Sequence, residues 1–165
     1  MASQSLISAL KDAGVFVTTA ESLTGGMLAA RLTDLPGSSE VFLGGVVAYQ
    51  NQVKQELLGV SPSLMEQQGA VDAEVAAQMA VGVRLRFAKI NQVDSSTVIG
   101  VSTTGVAGPG KSEGKDPGTV FIGVSSGSSD VVYAYHFSGD RASVREQSVQ
   151  AALDALGEQL QLLGG

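Results

Sequence analysis

The sequence of 165 residues contains no cysteine, no tryptophan and only one histidine. The absence of cysteine excludes disulfides, thiolate zinc sites and a cysteine nucleophile, although it leaves the cellular compartment open. The histidine, His136, lies in a predicted strand over residues 131–137, where we expect a structural role. A Ser-His-Asp triad or a histidine-based metal site would have to use this residue, so we expect neither and assign no metal.

Positive charge is also scarce, with 10 Lys and Arg residues against 16 Asp and Glu residues and a net charge of −6. No cluster of basic residues appears, so a nucleic-acid partner is not expected. No run approaches the ~20 apolar residues that span a bilayer, and residues 1–11 lack a signal-peptide pattern. The chain is therefore expected to be a cytoplasmic protein with a single domain over residues 1–165 and no membrane contact.

Hydrophobic periodicity and breaker residues divide the chain into alternating helices and strands. Helices are predicted over residues 3–13, 27–35, 51–58, 62–68, 73–89 and 142–163, with caps at Gly14, Ser61 and Asp72. Strands are predicted over residues 15–19, 41–50, 97–102, 119–124 and 131–137. A Ser/Gly turn over residues 125–129 joins the last two strands as a hairpin. This order predicts an α/β fold, a single-domain layered sandwich with a mixed β-sheet flanked by helices.

The stretch TAESLTGG, residues 19–26, leads from the first predicted strand to the start of a helix. Backbone N–H groups at a helix start are unpaired and favour an anion, and the glycines Gly25 and Gly26 let a ligand approach closely. The alternative is an ordinary strand-to-helix turn with Thr24 as the N-cap. The stretch taken alone leaves both interpretations open.

Residues 105–112, GVAGPGKS, match the P-loop pattern G-x-x-x-x-G-K-[ST] and follow a predicted strand. A P-loop needs a helix that begins at its lysine, but Gly114, Pro117 and Gly118 follow Lys111 and prevent a sustained helix. The interval before the next predicted strand is also too short for a parallel crossover. We therefore do not expect an ATPase or a GTPase.

Hydroxyl side chains and glycines gather where predicted strands meet loops, which is where α/β sheets bind ligands. They are Ser22, Thr24, Ser38, Ser39, Thr103, Thr104, Gly105 and Gly108. Lys54 and Arg141 begin helices that follow strands. The helix dipole would help to lower the pKa of Lys54 toward that of a neutral base, whereas the alternative is a solvated surface lysine. By elimination, a nucleophilic hydrolase of this composition would need serine together with lysine.

Six short segments follow one another along the chain in a characteristic order: AESLTGG (20–26), PGSS (36–39), YQNQVK (49–54), TGVAGP (104–109), PGTV (117–120) and SGDR (138–141). In this series the chain resembles the CinA C-terminal domain family, the PncC-type nicotinamide mononucleotide (NMN) deamidases, in a stand-alone form. Leu23 stands where the commonest family form has cysteine. The loop 110–116 also departs from the usual Asp-Gly-Gly version, so its side chains receive no role.

The resemblance implies an amidohydrolase that converts NMN to nicotinic acid mononucleotide and ammonia in pyridine-nucleotide (NAD) salvage, without metal or cofactor. It implies a link by name to competence and DNA damage, and it is consistent with a homodimer. The functional positions that it implies are Ser22, Ser39, Tyr49, Lys54, Thr104 and Arg141. The alternative is a non-catalytic nucleotide-binding or protein-interaction module that keeps the same pocket.

In the mechanism that we expect, Ser39 attacks the carboxamide carbon of NMN, and neutral Lys54 takes the serine proton directly or through Ser22. Backbone N–H groups beside Ser39 or at Thr104 and Gly105 would hold the oxyanion. The choice of nucleophile between Ser39 and Ser22 stays open at this point.

The substrate contacts follow from charge and ring chemistry. Arg141, together with N–H groups at Gly25 and Gly26 or at Gly105, is expected to bind the phosphate. Tyr49 is expected to stack on the pyridinium ring. Glu21 is expected to orient Ser22 or Lys54.

Overall fold

The computed structural model describes residues 3–164, which fold as a five-stranded mixed sheet between two layers of helices. The helices of the described residues are α1 (Ser3–Ala13), α2 (Met27–Thr33), α3 (Asn51–Leu58), α4 (Pro62–Gln68), α5 (Ala73–Asn91) and α6 (Arg141–Leu163). The strands are β1 (Phe16–Glu21), β2 (Phe42–Val47), β3 (Val98–Gly105), β4 (Thr119–Ser125) and β5 (Asp130–His136). The predicted α/β layered sandwich is confirmed.

The strand order is β2-β1-β3-β4-β5. Strand β1 pairs in parallel with both β2 and β3, whereas β3–β4 and β4–β5 are antiparallel. Glu21, the last residue of β1, lies opposite Val47 of β2 and Thr103 of β3. The carboxyl ends of the three parallel strands therefore meet at one end of the sheet, where α/β proteins place ligands.

Each face of the sheet buries its own apolar cluster. The cluster under α1, α2 and α6 includes Leu10, Val17 and Leu156, and the cluster under α3, α4 and α5 includes Val60 and Met79. Because all five of these side chains are buried, each helical layer is anchored by removal of apolar surface from water.

Helix α5 packs closely against the sheet along a seam of small residues. The Ser102 hydroxyl donates to the Ala76 carbonyl at 2.6 Å. A Cβ atom at Gly100 or Gly123 would fall well inside contact distance of the carbonyl oxygen of Ala80 or Ala76, respectively. Glycine and a hydroxyl are required here because the helix backbone itself packs against the strands.

Two strands are longer than the local sequence pattern predicted. β1 continues to Glu21 instead of ending at residue 19, and β3 continues through residues 103–105, which we had expected to be loop. Both strands are paired on both sides, so ladder hydrogen bonds extend them past their apolar runs. The predicted caps Ser61 and Asp72 are confirmed, since their side chains accept backbone N–H groups of α4 and α5.

None of the helices within residues 3–164 combines the length and the hydropathy that a bilayer crossing requires.

Candidate functional site

A cavity of about 180 Å³ lies at the carboxyl ends of β1 and β3, opposite the start of α6. Four of the predicted site residues, Ser22, Tyr49, Gly105 and Arg141, line it together. The rest of the lining consists of Leu23, Val106, Ala107, Gly108, Gly110 and Ser112. The residues that follow β1, β2 and β3 and the start of α6 thus form a single pocket.

The loop after β3 forms one wall of this pocket with its backbone. Val106 is anchored, since its N–H donates to Thr119 O at 2.8 Å and its carbonyl accepts from Gly118 N at 2.7 Å. The N–H groups of Ala107, Gly108 and Gly110 find no acceptor within residues 3–164. Successive free N–H groups in a loop attract an anion, so this wall suits an oxyanion or a phosphate.

Gly105 stands where this loop leaves the sheet. A Cβ atom at this position would lie 2.7 Å from the Thr119 carbonyl oxygen and 2.8 Å from the Val120 side chain. Only glycine therefore fits between β3 and β4 at the pocket. After the loop, residues 110–118 form turns closed by a bridge between Ser112 and Lys115, with no helix at Lys111, so the geometry of a P-loop is absent from this part of the chain.

Ser22 is held in the pocket by its backbone. Its N–H donates to the Thr103 carbonyl at 3.0 Å, which continues the ladder between β1 and β3 by one residue. The side chain is half-buried, and its hydroxyl has no hydrogen-bond partner in the described part of the chain. The hydroxyl of Ser22 is therefore available to a ligand or to a proton-transfer partner.

The alternative interpretation, in which Thr24 is the N-cap of α2, is wrong. The N-cap is Gly26, with φ of 102°, and the Thr24 hydroxyl lies 2.8 Å from the Thr103 hydroxyl instead. The capping role belongs to Glu21, whose carboxylate accepts from Leu28 N at 2.8 Å and Ala29 N at 3.0 Å. A buried carboxylate at this position accepts from two backbone N–H groups that have no acceptor within the helix, and its negative charge complements the helix dipole.

This arrangement accounts for Glu21 as the cap of α2, whereas the phosphate contact predicted for Gly25 and Gly26 stays a prediction. The start of α2 already holds the carboxylate of Glu21, which is 1% exposed, so a second anion there would meet like charge. Arg145, which the sequence analysis missed, donates to Leu23 O at 2.9 Å and to Thr24 O at 3.3 Å. Together these residues build the rigid turn that carries Ser22, and Glu21 does not orient Lys54.

Lys54 is the most unusual side chain near the pocket. It is 1% exposed, and its Nζ donates to the carbonyl of the pocket residue Tyr49 at 3.2 Å. No carboxylate lies within ion-pair distance of it in the described residues. Burial lowers the pKa of Lys54 below its usual 10.5, and the charge of Glu113 offsets part of this effect. The alternative of a solvated surface lysine is wrong, and the amine is suited to act as a neutral base.

Glu113 ties the loop 110–118 to the turn between α4 and α5. Its carboxylate accepts from Ala70 N at 2.7 Å and from Val71 N at 3.4 Å. Lys115 makes a second tie by donating to the Gln68 carbonyl at 2.7 Å. The sequence offered no signal for either role, because both depend on contacts between segments more than forty residues apart.

Thr104 and Arg141 use their polar atoms in different ways. The buried Thr104 hydroxyl donates to Ala70 O at 2.8 Å, so it fixes the α4–α5 turn and is not directed at the pocket. Arg141 is exposed, and its guanidinium donates to Gly108 O at 2.8 Å and to the Tyr49 hydroxyl at 3.3 Å. The Tyr49 side chain is 55% exposed, which leaves the ring available for stacking.

Ser39 lies at the other end of the sheet. It belongs to a short 3-10 turn, Ser38–Glu40, that precedes β2, and its hydroxyl makes no hydrogen bond within residues 3–164. The six residues of β2 separate this turn from the segment that carries Tyr49 and Lys54, a distance of about 20 Å at ~3.3 Å per strand residue. Direct proton transfer from Ser39 to Lys54 of the same chain, as first expected, is therefore excluded by the fold.

The fold and the pocket define a class, a layered α/β domain with a ligand site at the carboxyl ends of its parallel strands. The model of the CinA C-terminal domain family matches residues 1–160. The chain belongs to the CinA C-terminal domain family.

The relatives and the solved structures agree with this assignment. A "putative competence-damage inducible protein" of Bacillus subtilis is 43% identical over 142 residues, 86% of this chain and 32% of the relative. A protein of the same description from Desulforamulus reducens is 46% identical over 144 residues, 87% of this chain and 33% of the relative. The chain thus spans about a third of the length of these curated relatives.

The similar solved structures are close to this chain in length. The crystal structure of a competence-damaged protein (CinA) superfamily protein from Enterobacter cloacae superposes with a TM-score of 0.86 at 33% identity, covering 96% of this chain and 89% of that one. The competence/damage inducible protein CihA from Agrobacterium tumefaciens gives a TM-score of 0.83 at 31% identity, with 99% and 93% covered.

Proposed function

We propose that this chain is an amidohydrolase that converts NMN and water to nicotinic acid mononucleotide and ammonia. The observation that carries the proposal is the buried, unpaired Lys54, whose amine reaches the backbone of a pocket residue while its pKa is lowered. A buried lysine without an ion pair costs stability, and such perturbed groups cluster at functional sites. The free hydroxyl of Ser22 lies on the wall of the same pocket.

The pocket supplies a complementary group for each part of NMN. The exposed ring of Tyr49 offers a face to the cationic pyridinium. Arg141 has donors left beyond its bonds to Gly108 and Tyr49, and a guanidinium binds phosphate with two parallel hydrogen bonds. The free N–H groups of Ala107, Gly108 and Gly110 then face the carboxamide oxygen or a phosphate oxygen.

The reaction is an acyl transfer through serine. The Ser22 oxygen attacks the carboxamide carbon while its proton passes to the neutral amine of Lys54. The tetrahedral intermediate collapses when the lysine returns this proton to the departing nitrogen, which leaves as ammonia. Water, activated by the same amine, then cleaves the acyl-enzyme ester and regenerates the serine. The mechanism assigns each proton to a side chain and needs no external redox partner.

A single assay tests the activity: purified protein, NMN, EDTA and a measurement of released ammonia. We expect turnover in the presence of EDTA and much weaker turnover of nicotinamide riboside, which lacks the phosphate. Binding of NMN without turnover would overturn the proposal in favour of a nucleotide-binding module. Turnover that EDTA abolishes would overturn the serine mechanism in favour of a metal-dependent hydrolase.

A further inference from the structure

We infer that the protein has a second ligand site, a cavity between α1 and α6 that binds a small organic cation with an ammonium group and an apolar body. The cavity has a volume of about 290 Å³ and is lined by Leu6 of α1, by Leu35 after α2 and by one face of α6. It shares no lining residue with the pocket at the carboxyl ends of the parallel strands. This second site is therefore independent of the proposed function.

The α1–α6 cavity has an apolar floor and an acidic rim. Leu6 and Leu153 are 4% and 9% exposed, and the half-buried Leu35 packs against the same apolar cluster. Asp154 and Glu158 also line the cavity, and both are exposed. A ligand that matches both parts has an apolar body for the floor and a positive charge for the rim, because ligand sites combine apolar walls with a few placed polar groups.

Gly157 provides part of the space in this cavity. It is buried within α6, where glycine is the poorest helix former apart from proline. A Cβ atom at Gly157 would meet no described atom beyond its own stretch of helix within 4 Å, whereas a Cβ atom at Gly82 of α5 would lie 1.8 Å from the Leu58 carbonyl oxygen. Close packing thus explains the glycine of α5 but not the glycine of α6. A residue that weakens a helix without a packing reason is expected at a functional site.

The two carboxylates at the rim have no cation to balance them. Asp154 and Glu158 are four residues apart on α6, a spacing that places like charges side by side and destabilises a helix. None of the ion pairs within residues 3–164 includes either residue. Burial raises the pKa of Tyr135 on β5, and the negative charges of Glu158 and Asp154 raise it further. An ammonium group bound at the rim would relieve the repulsion between the two carboxylates.

A chain of hydrogen bonds from the core holds Glu158 in place. The Ser129 hydroxyl donates to Gln159 Oε1 at 3.3 Å, and Gln159 Nε2 donates to the Tyr133 hydroxyl at 3.3 Å. The Tyr133 hydroxyl in turn donates to a carboxylate oxygen of Glu158 at 3.0 Å. Gln159 is only 3% exposed, so the chain begins inside the protein. A ligand would meet a carboxylate whose orientation is already fixed, which lowers the cost of ordering it on binding.

The size of the cavity limits the ligand. Its volume equals that of about ten water molecules at ~30 Å³ each, so it suits a ligand of roughly ten non-hydrogen atoms. 2-Phenylethylamine has this size, an apolar ring and a protonated amine at neutral pH. 2-Phenylethanol and 3-phenylpropionate keep the ring and nearly the same length, but the first is neutral and the second is an anion. These three compounds are therefore matched probes of the charge that the rim selects.

The first experiment titrates the native protein with each probe in a calorimeter and records thermal melts at increasing probe concentration. We expect the amine to bind and to raise Tm, because a ligand that binds only the folded state stabilises it. The alcohol should bind much more weakly and the anion not at all, and added salt should weaken the binding of the amine. Equal binding of the amine and the alcohol would contradict the role of the carboxylates. No binding of the amine at millimolar concentration would overturn the site.

The second experiment locates the binding with variants. Gly157→Leu places an apolar side chain in the floor and improves the helix, so this variant should melt at a higher temperature without probe and should lose the binding of 2-phenylethylamine. The double variant Asp154→Asn/Glu158→Gln keeps hydrogen-bond acceptors at the rim but removes both charges, and Kd for the amine should rise about tenfold.

The matched control is Glu56→Gln/Glu66→Gln, which removes two charges from exposed positions in α3 and α4, in the other helical layer. It should bind the amine as the native protein does. Native-like binding by Gly157→Leu, or equal losses in the two double variants, would overturn the site and leave only a general attraction of the cation to an acidic protein. Because neither experiment measures NMN turnover, failure of this second site and failure of the proposed function are distinguishable.

Discussion

The two ends of the parallel strands differ sharply in how their polar groups are used. At the carboxyl ends, Ser22, Tyr49 and Arg141 line one pocket, and Lys54 is buried beside it. At the amino end, Ser39 is exposed on a short turn, and the neighbouring Glu40 is engaged only in an exposed ion pair with Lys11 at 2.6 Å. The carboxyl end has the features of a site, and the amino end has those of an ordinary surface.

The difference shows what a single chain can and cannot do. The end with Lys54 has the free hydroxyl of Ser22, free N–H groups and the cation of Arg141, but Ser39, the nucleophile of the expected mechanism, is at the other end. For the proposed hydrolysis within one chain, Ser22 is therefore the candidate nucleophile.

Removing the amine of Lys54 should have the largest effect. Lys54→Met keeps an unbranched side chain, one atom shorter, that cannot take a proton, so we expect kcat for NMN to fall about 10²–10⁴-fold. The folded state lowers the pKa of Lys54, so the native protein gains stability as pH rises toward 10.5, whereas the variant does not. Thermal melts should therefore show an advantage of Lys54→Met near pH 7 that shrinks at higher pH. Unchanged turnover would show that the lysine is not the base.

Ser22→Ala should reduce kcat about 10²–10³-fold with a small change in KM, since the hydroxyl acts on a proton or on the reacting carbon in the transition state. Steady-state kinetics with NMN checks this. Ser112→Ala is a matched control, because Ser112 lines the same pocket but lies on the exposed loop 110–118. Equal losses in the two variants would mean that the pocket, and not the Ser22 hydroxyl, had been damaged.

Arg141→Lys should weaken the binding of NMN. The lysine keeps the positive charge but loses the planar fork, so we expect KM for NMN to rise about tenfold while kcat changes little. On nicotinamide riboside, which has no phosphate, the variant and the native protein should perform alike. A similar loss on both substrates would show that Arg141 positions Tyr49 or the 106–110 loop and does not bind phosphate.

The smallest effect should come from Glu113→Gln. The negative charge of Glu113 raises the pKa of Lys54, so its removal should move the rising limb of the pH–rate profile to lower pH. The amide oxygen can still accept from Ala70, which preserves the loop contact, and the plateau rate should stay within about twofold. Asp116→Asn removes a charge from the same loop and should leave the limb in place. A shift in both variants would indicate a general charge effect.

Much of the fold was predictable because local signals and the tertiary structure agree. Breakers, caps and apolar periodicity located each helix and strand of the described region, and Asn51–Leu58 and Pro62–Gln68 match the prediction residue for residue. Strand ends were less predictable, as residues 103–105 show, because pairing partners distant in the chain extend β3.

The sequence predicted which residues lie together at the site, but not what each of them contacts. Segments that resemble a family pointed to Ser22, Tyr49 and Arg141, and the fold brings these three together. The capping role of Glu21 and the loop contacts of Arg145 were not predictable, since each depends on which helix start or carbonyl lies nearby in space. The position of Ser39 depends on strand direction, because a residue before a parallel strand and a residue after it lie at opposite ends.

The seam between α5 and the sheet links the core to the proton affinity of Lys54. The Ser102 hydroxyl donates to the Ala76 carbonyl, in the amino-terminal end of α5, and the Thr104 hydroxyl donates to the Ala70 carbonyl, in the turn before it. Glu113 is bonded to the same turn and acts electrostatically on Lys54. A methyl group added at Gly123, against Ala76, would push this end of the helix outward and carry the turn and its carboxylate along. A packing change in the core would thus change the pKa of Lys54 and, with it, the pH dependence of the proposed activity.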